Sequence, residues 1–143
     1  MHSIGFIYAI GAAIAWGLLY TIDQKIVANT PPMVFMFLVF VMGAILLSPI
    51  IFFQNAAIAS VFALGKARFI LIFCSVILAI IANYLILASI QRLGASLASV
   101  LEIIYPFFVF FFSFLILGAK LNAYILAGSV LIFLGSVIIM RFG

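Results

Sequence analysis

Charge is scarce in this chain, and acid is scarcer than base. Its 143 residues hold six Lys or Arg and two Asp or Glu, so that 6% of positions are charged, against about 25% in a soluble domain. No water-soluble surface can be built from so few. The basic residues stand singly between apolar runs, so the formal charge of +4 gathers into no patch and nucleic acid is not expected as a partner. Cysteine is limited to Cys74, inside an apolar run; it has no second cysteine to bridge to and reads as a small core residue. There is no His/Cys ligand pairing, no nucleophile elbow and no phosphate-cradling glycine loop. The sequence therefore offers no machinery for an enzyme, and neither a metal nor a cofactor is expected.

What fills the chain instead is hydrophobic side chain, 71% of it. A helix crosses a hydrocarbon core of about 30 Å with roughly 20 apolar residues, and the runs here divide into five such lengths. The expected spans are Ile4 to Ile22, Met33 to Phe53, Phe69 to Ser89, Ser96 to Gly118 and Ala123 to Met140. Asp23, Gln24 and Lys25 carry the chain out of the first span into water, and Pro31-Pro32 keeps the following connection extended. The mildly apolar stretch Ala56 to Leu64 suits a segment lying along the interface. Gln91 to Gly94 makes so short a turn that the third and fourth spans return as a hairpin. Ala13-Ile14-Ala15 has the small-residue spacing of a signal-peptide site, yet Met1-His2-Ser3 lacks a basic leader, so the first span reads as retained. A barrel would need alternating segments of about 10 residues, whereas Phe107 to Leu117 and Tyr124 to Met140 are almost continuously apolar. The fold class is an all-α membrane protein, a five-helix transmembrane bundle with short loops, in contact with lipid.

Several stretches resemble one EamA-type domain of the drug/metabolite transporter superfamily, over nearly the whole chain. Gly11 to Lys25 (GAAIAWGLLYTIDQK) is similar to the family's opening pattern of small residues, a Trp and a polar exit ending in Lys. Tyr84 to Pro106 (YLILASIQRLGASLASVLEIIYP) resembles its aromatic-rich third helix, Gly-Ala turn and small-residue fourth helix leading to Pro. The last span, with Gly128 and Gly135, resembles its closing segment. The family's usual Gly-Glu pair at the end of the fourth helix is here Gly118-Ala119. Most members carry two such domains as inverted repeats, so residues 1–143 correspond to half of a typical ten-helix transporter. The resemblance implies a secondary transporter, an exporter or antiporter of a small metabolite or drug-like solute. A lipid-linked intermediate flippase and a non-transporting membrane subunit are the alternatives.

Glu102 is the one acidic residue within an expected span, where an ionisable side chain is costly and by default functional. It could exchange a proton, pair with a cationic substrate, or simply bond to a neighbouring helix. On a period of about 3.6 residues, Ala95, Ser99, Glu102, Pro106, Val109 and Ser113 share one stripe, while Gly5, Ala9, Ala12, Trp16, Tyr20 and Asp23 share another. Trp16 lies deeper than Tyr20, which ranks Trp16 as cavity lining and Tyr20 first as an interface anchor. Asn83, in mid-span, needs partners on another helix or in a wet cavity. Tyr84 and Tyr105 can present hydroxyls to a solute. Pro106 removes a hydrogen bond at the level of Glu102 and suits a hinge. Gly128 and Gly135, seven apart on one face, suit close helix packing.

Five spans put the termini on opposite sides. The basic residues then divide into Lys66, Arg68 and Lys120 on one side and Lys25, Arg92 and Arg141 on the other, which leaves the positive-inside rule without a preferred orientation. An antiparallel homodimer of dual topology is expected, or else a heteromer with a second half-size chain. The expected location is a cell membrane, most readily a bacterial inner membrane.

Overall fold

The computed structural model describes residues 2–63, 65–120 and 122–142, with the side chains of residues 2, 3, 6, 55–57 and 62 outside that description. Met1, Leu64 at the end of the expected interfacial segment, and Leu121 in the loop before the last span therefore lie outside it. The described residues form seven helical segments and no strand: α1 (His2–Val27), α2 (Pro32–Phe52), α3 (Asn55–Phe62), α4 (Gly65–Leu93), α5 (Ala95–Glu102), α6 (Tyr105–Leu117) and α7 (Ala123–Phe142). Among them, four stretches are long and apolar enough to cross a membrane: α2, α4, α7 and the α5–α6 pair taken as one length from Ala95 to Leu117. The all-α membrane fold is borne out. The remaining expected span falls on α1, a continuous helix of 26 residues.

Two compact units divide the chain, Met1–Lys25 with Ser89–Gly143, and Ile26–Ala88. In the second unit α2 packs on α3. Pro31 stands before α2 and Pro32 opens it, where a missing N–H costs nothing because the first helical amides have no partner anyway. Pro49 sits inside α2 without ending it. A proline there deprives the carbonyl four residues earlier, that of Ile45, of its donor. The Ser48 hydroxyl takes over, donating to the Ile45 carbonyl at 2.8 Å. Asn83 is satisfied in a blander way than its position suggests, since its Nδ2 donates to the Ala79 carbonyl one turn back in α4 at 2.8 Å. It recruits no other helix for this bond.

In the first unit α7 packs against both α5 and α6. Ser129 and Ser136 are buried on it. The Ser136 hydroxyl is shared between the Ile132 carbonyl of its own helix, at 3.0 Å, and the Val100 carbonyl of α5, at 3.1 Å. Gly128 and Gly135, expected to make the close contact, do not make it among the described residues of this unit. A Cβ added at either would meet nothing within 4 Å, and the bond from α7 to α5 comes from Ser136, beside Gly135. Asn122 starts α7 by accepting from the amides of Tyr124, at 2.9 Å, and Ile125, at 3.4 Å.

The expected fourth helix is not continuous. It is broken at Ile103 and Ile104 into α5 and α6. Pro106 has no N–H to offer the Glu102 carbonyl, and the chain tightens around the gap. The Ile104 amide donates to the Leu101 carbonyl at 3.4 Å and the Phe107 amide to the Ile104 carbonyl at 3.0 Å, both three residues back rather than four. The broken span is rebuilt as two helices meeting at the intramembrane acid.

Candidate functional site

The last turns of α1 carry Trp16, Tyr20, Asp23 and Gln24 and meet α5 through two hydrogen bonds. At one end of α5, the Tyr20 hydroxyl donates to Glu102 Oε2 at 2.6 Å. At the other end, the Ala95 amide donates to Gln24 Oε1 at 2.7 Å. Tyr20 and Gln24 are one helical turn apart, so a single face of α1 holds both ends of an eight-residue helix. Gln24 thus acts as a side-chain N-cap supplied from another helix. Gly94 makes the approach possible: its φ of 80° and ψ of 160° end α4 and open α5, a conformation that essentially only glycine adopts without strain.

Burial differs sharply between the two aromatic residues of this face. Tyr20 is 8% exposed, whereas Trp16 is 49% exposed. The deeper residue is the more open one. An anchor at the interface would leave the Tyr20 hydroxyl to water and lipid headgroups, but here it is spent on Glu102. The two rings stand 5.5 Å apart between centroids with planes tilted by 59°. Asp23 departs furthest from expectation. It does not leave the helix for water; α1 continues to Val27, and Asp23 is 6% exposed. Three residues from Tyr20, it shares that residue's face, and Tyr20 stands within electrostatic reach of both Asp23 and Glu102, and of Tyr105.

Glu102 itself is half-buried at the end of α5. Ser99 shares its stripe, but the Ser99 hydroxyl donates at 3.0 Å to the Ser96 carbonyl of its own helix. Tyr105 lies just past the break and is largely exposed. Pro106 occupies the second position of α6. The structure therefore joins Tyr20 directly to Glu102, sets Trp16 and Tyr105 beside that pair, and places Pro106 at the break. Asn83 and Tyr84 belong to the other unit.

The sequence sets Asp23 on the stripe of Tyr20 but reads it and Gln24 as the exit into water, because a polar triplet after an apolar run is the ordinary mark of a span's end. The signal left unused is Gln24, one turn after Tyr20 on that face, which only matters if the helix continues. As a chemical arrangement, the site offers one carboxylate held by a phenol, a second buried carboxylate one turn away, and an aromatic wall. Such a set suits binding a cation or passing a proton.

Comparison with curated proteins and with solved structures gives no match. The model of the EamA-like transporter family matches residues 3–141, nearly the full length, and the chain belongs to that family.

Proposed function

We propose that the chain is a secondary transporter that exports a small metabolite or drug-like solute by alternating access, with Glu102 as the residue that exchanges a proton or meets the substrate. The chain is a multi-pass membrane protein of a transporter family. The observation that carries the finer reading is the Tyr20–Glu102 hydrogen bond at a break in an apolar span. Discontinuous helices are a recurring way to place polar groups at transport sites, because the freed backbone and side chains must face protein or a cavity rather than lipid. The break at Ile103 and Ile104, set by Pro106, gives α6 a pivot relative to α5. Movement there would change which side Glu102 faces while Tyr20 and Gln24 keep α5 on α1. Trp16 and Tyr105 would then line the path of the solute.

One such domain is half of an inverted-repeat transporter, and we propose that two oppositely inserted copies supply both halves. The open glycine positions on α7 support this. Gly128 and Gly135 lie next to the buried serines of α7, yet their own Cβ positions are vacant to 4 Å, which leaves a smooth strip on which a second copy can pack closely. A closed two-fold pair uses the same strip twice. A bacterial inner membrane is the proposed location.

Reconstitution into liposomes with a metabolite panel and an imposed proton gradient tests the reading. Wild-type protein is expected to drive solute flux, and Glu102→Gln, which keeps size and hydrogen bonding but carries no exchangeable carboxyl proton, is expected to stay folded and lose it. Undiminished proton-driven flux in that variant would remove Glu102 from the mechanism.

A further inference from the structure

We propose that Ser136 is a positioning residue for Glu102: its hydroxyl takes the place of the Ile104 amide at the Val100 carbonyl and so holds the fourth span in its broken form. The inference deepens the transporter reading, on which the part assigned to Glu102 rests. In an unbroken α-helix each amide donates to the carbonyl four residues back, which pairs Ile104 with Val100. At the break the Ile104 amide turns instead to the Leu101 carbonyl, at 3.4 Å. The Val100 carbonyl loses its helical donor, and in an apolar span there is no water to replace it. The Ser136 hydroxyl does so from α7, at 3.1 Å.

Ser129 shows what a buried serine of α7 does away from the break. It lies two turns earlier on the same face and donates to the Ile125 carbonyl of its own helix at 2.9 Å. Ser136 is equally enclosed, yet it divides its hydroxyl between the Ile132 carbonyl of its own helix, at 3.0 Å, and Val100. A hydroxyl has one hydrogen, so the two acceptors share it. That sharing makes the contact reversible. If the span straightens and the Ile104 amide returns to Val100, the hydroxyl keeps Ile132 and no buried donor is stranded. Val100 stands in the last turn of α5, two residues before Glu102, so a hold on its carbonyl is a hold on the carboxylate that meets Tyr20. Because α7 packs on both α5 and α6, it can brace the two sides of the break.

The test is solid-state NMR of the full chain in lipid, with carbonyl carbon labelled in valine and amide nitrogen labelled in leucine so that only Val-Leu steps are selected. The sequence has two such steps, Val100-Leu101 and Val130-Leu131, so one carbonyl signal reports the break and the other is a reference within α7. Ser136→Ala should move the Val100 signal, whether the carbonyl is left bare or the helix re-forms around it, and Ser129→Ala should leave it in place. Ser136→Cys, of similar shape but with a weaker donor, should place it between wild type and Ser136→Ala, and it serves alone if the alanine variant folds poorly. The rate at which dicyclohexylcarbodiimide modifies Glu102, mapped by peptide mass spectrometry, should rise about two- to tenfold in Ser136→Ala, the worth of one neutral hydrogen bond, and by less in Ser136→Cys. A Val100 signal unmoved in both Ser136 variants, a shift matched by Ser129→Ala, or a Glu102 modification rate that does not rise overturns the proposal. Absence of proton-driven flux in liposomes would remove the transporter reading and leave these measurements as they stand, so the two fall separately.

Discussion

The Tyr20–Glu102 bond can be weighed directly. At 2.6 Å between oxygens, it lies within the range of about 2.5–2.7 Å typical of a hydroxyl donating to an ionised carboxylate, and below the mode of about 2.7–2.8 Å for neutral O–H···O bonds. Hydrogen bonds to charged groups contribute about 1.5–3 kcal/mol and neutral ones about 0.5–1.5 kcal/mol. Tyr20→Phe removes the hydroxyl and leaves the ring against Trp16, so it isolates the bond from the packing. In the wild-type background it should cost about 1.5–3 kcal/mol of stability. In the Glu102→Gln background the acceptor survives as a neutral amide oxygen, and the same change should cost only about 0.5–1.5 kcal/mol. The difference, on the order of 1 kcal/mol or about fivefold in the unfolding equilibrium, is the part of the bond that depends on carboxylate charge. Titration of the four variants with denaturing detergent, followed by helical circular dichroism, measures the cycle. If Tyr20→Phe costs the same in both backgrounds, the charge-assisted bond is refuted. If it costs nothing in either, the contact between α1 and α5 does not hold at all.

Three further outcomes follow from the same geometry. Gln24→Ala should expose the Ala95 amide and weaken the start of α5 by about 1 kcal/mol, the usual size of a lost N-cap, read as faster hydrogen exchange confined to that end of the helix. Gly94→Ala should destabilise the protein by about 1–3 kcal/mol through its backbone angles; the added Cβ would meet only the Gln24 side chain at 3.6 Å, an ordinary contact, so a smaller neighbour at 24 should not rescue it. Single cysteines placed at the Lys66 and Arg92 ends of α4 on a Cys74→Ser background should each label from both sides of intact membranes, and labelling from one side only would exclude dual topology.

The membrane class, the helical content and the position of most spans were legible because hydrocarbon solubility imposes one length and one composition on every segment that crosses. Glu102 was legible for the same reason, as an acid in the wrong solvent. The geometry around it was less so. Pro49 and Pro106 look alike in sequence, each within an apolar run, yet α2 passes through the first and the fourth span breaks at the second. Beside Pro49, Ser48 supplies a donor to the orphaned Ile45 carbonyl. Beside Pro106 the neighbour is Tyr105, whose hydroxyl is carried too far from the backbone to do this. The difference is visible in the residue before each proline once the carbonyl in question is identified.

Asp23 and Gln24 show the complementary failure, in which local composition points the wrong way. A polar triplet ends a span when nothing packs beside it, because water is then the only partner for its side chains. In this chain α5 lies beside that turn with an amide at Ala95 and a carboxylate at Glu102, and α1 gains more by continuing than by unwinding. The helix extends to Val27, Gln24 satisfies the amide, Tyr20 satisfies the carboxylate, and Asp23, three residues from Tyr20, is 6% exposed. Two of the three polar groups on this face are thus explained by what they hold in place. The third, Asp23, is enclosed with them because it occupies the same helical turn.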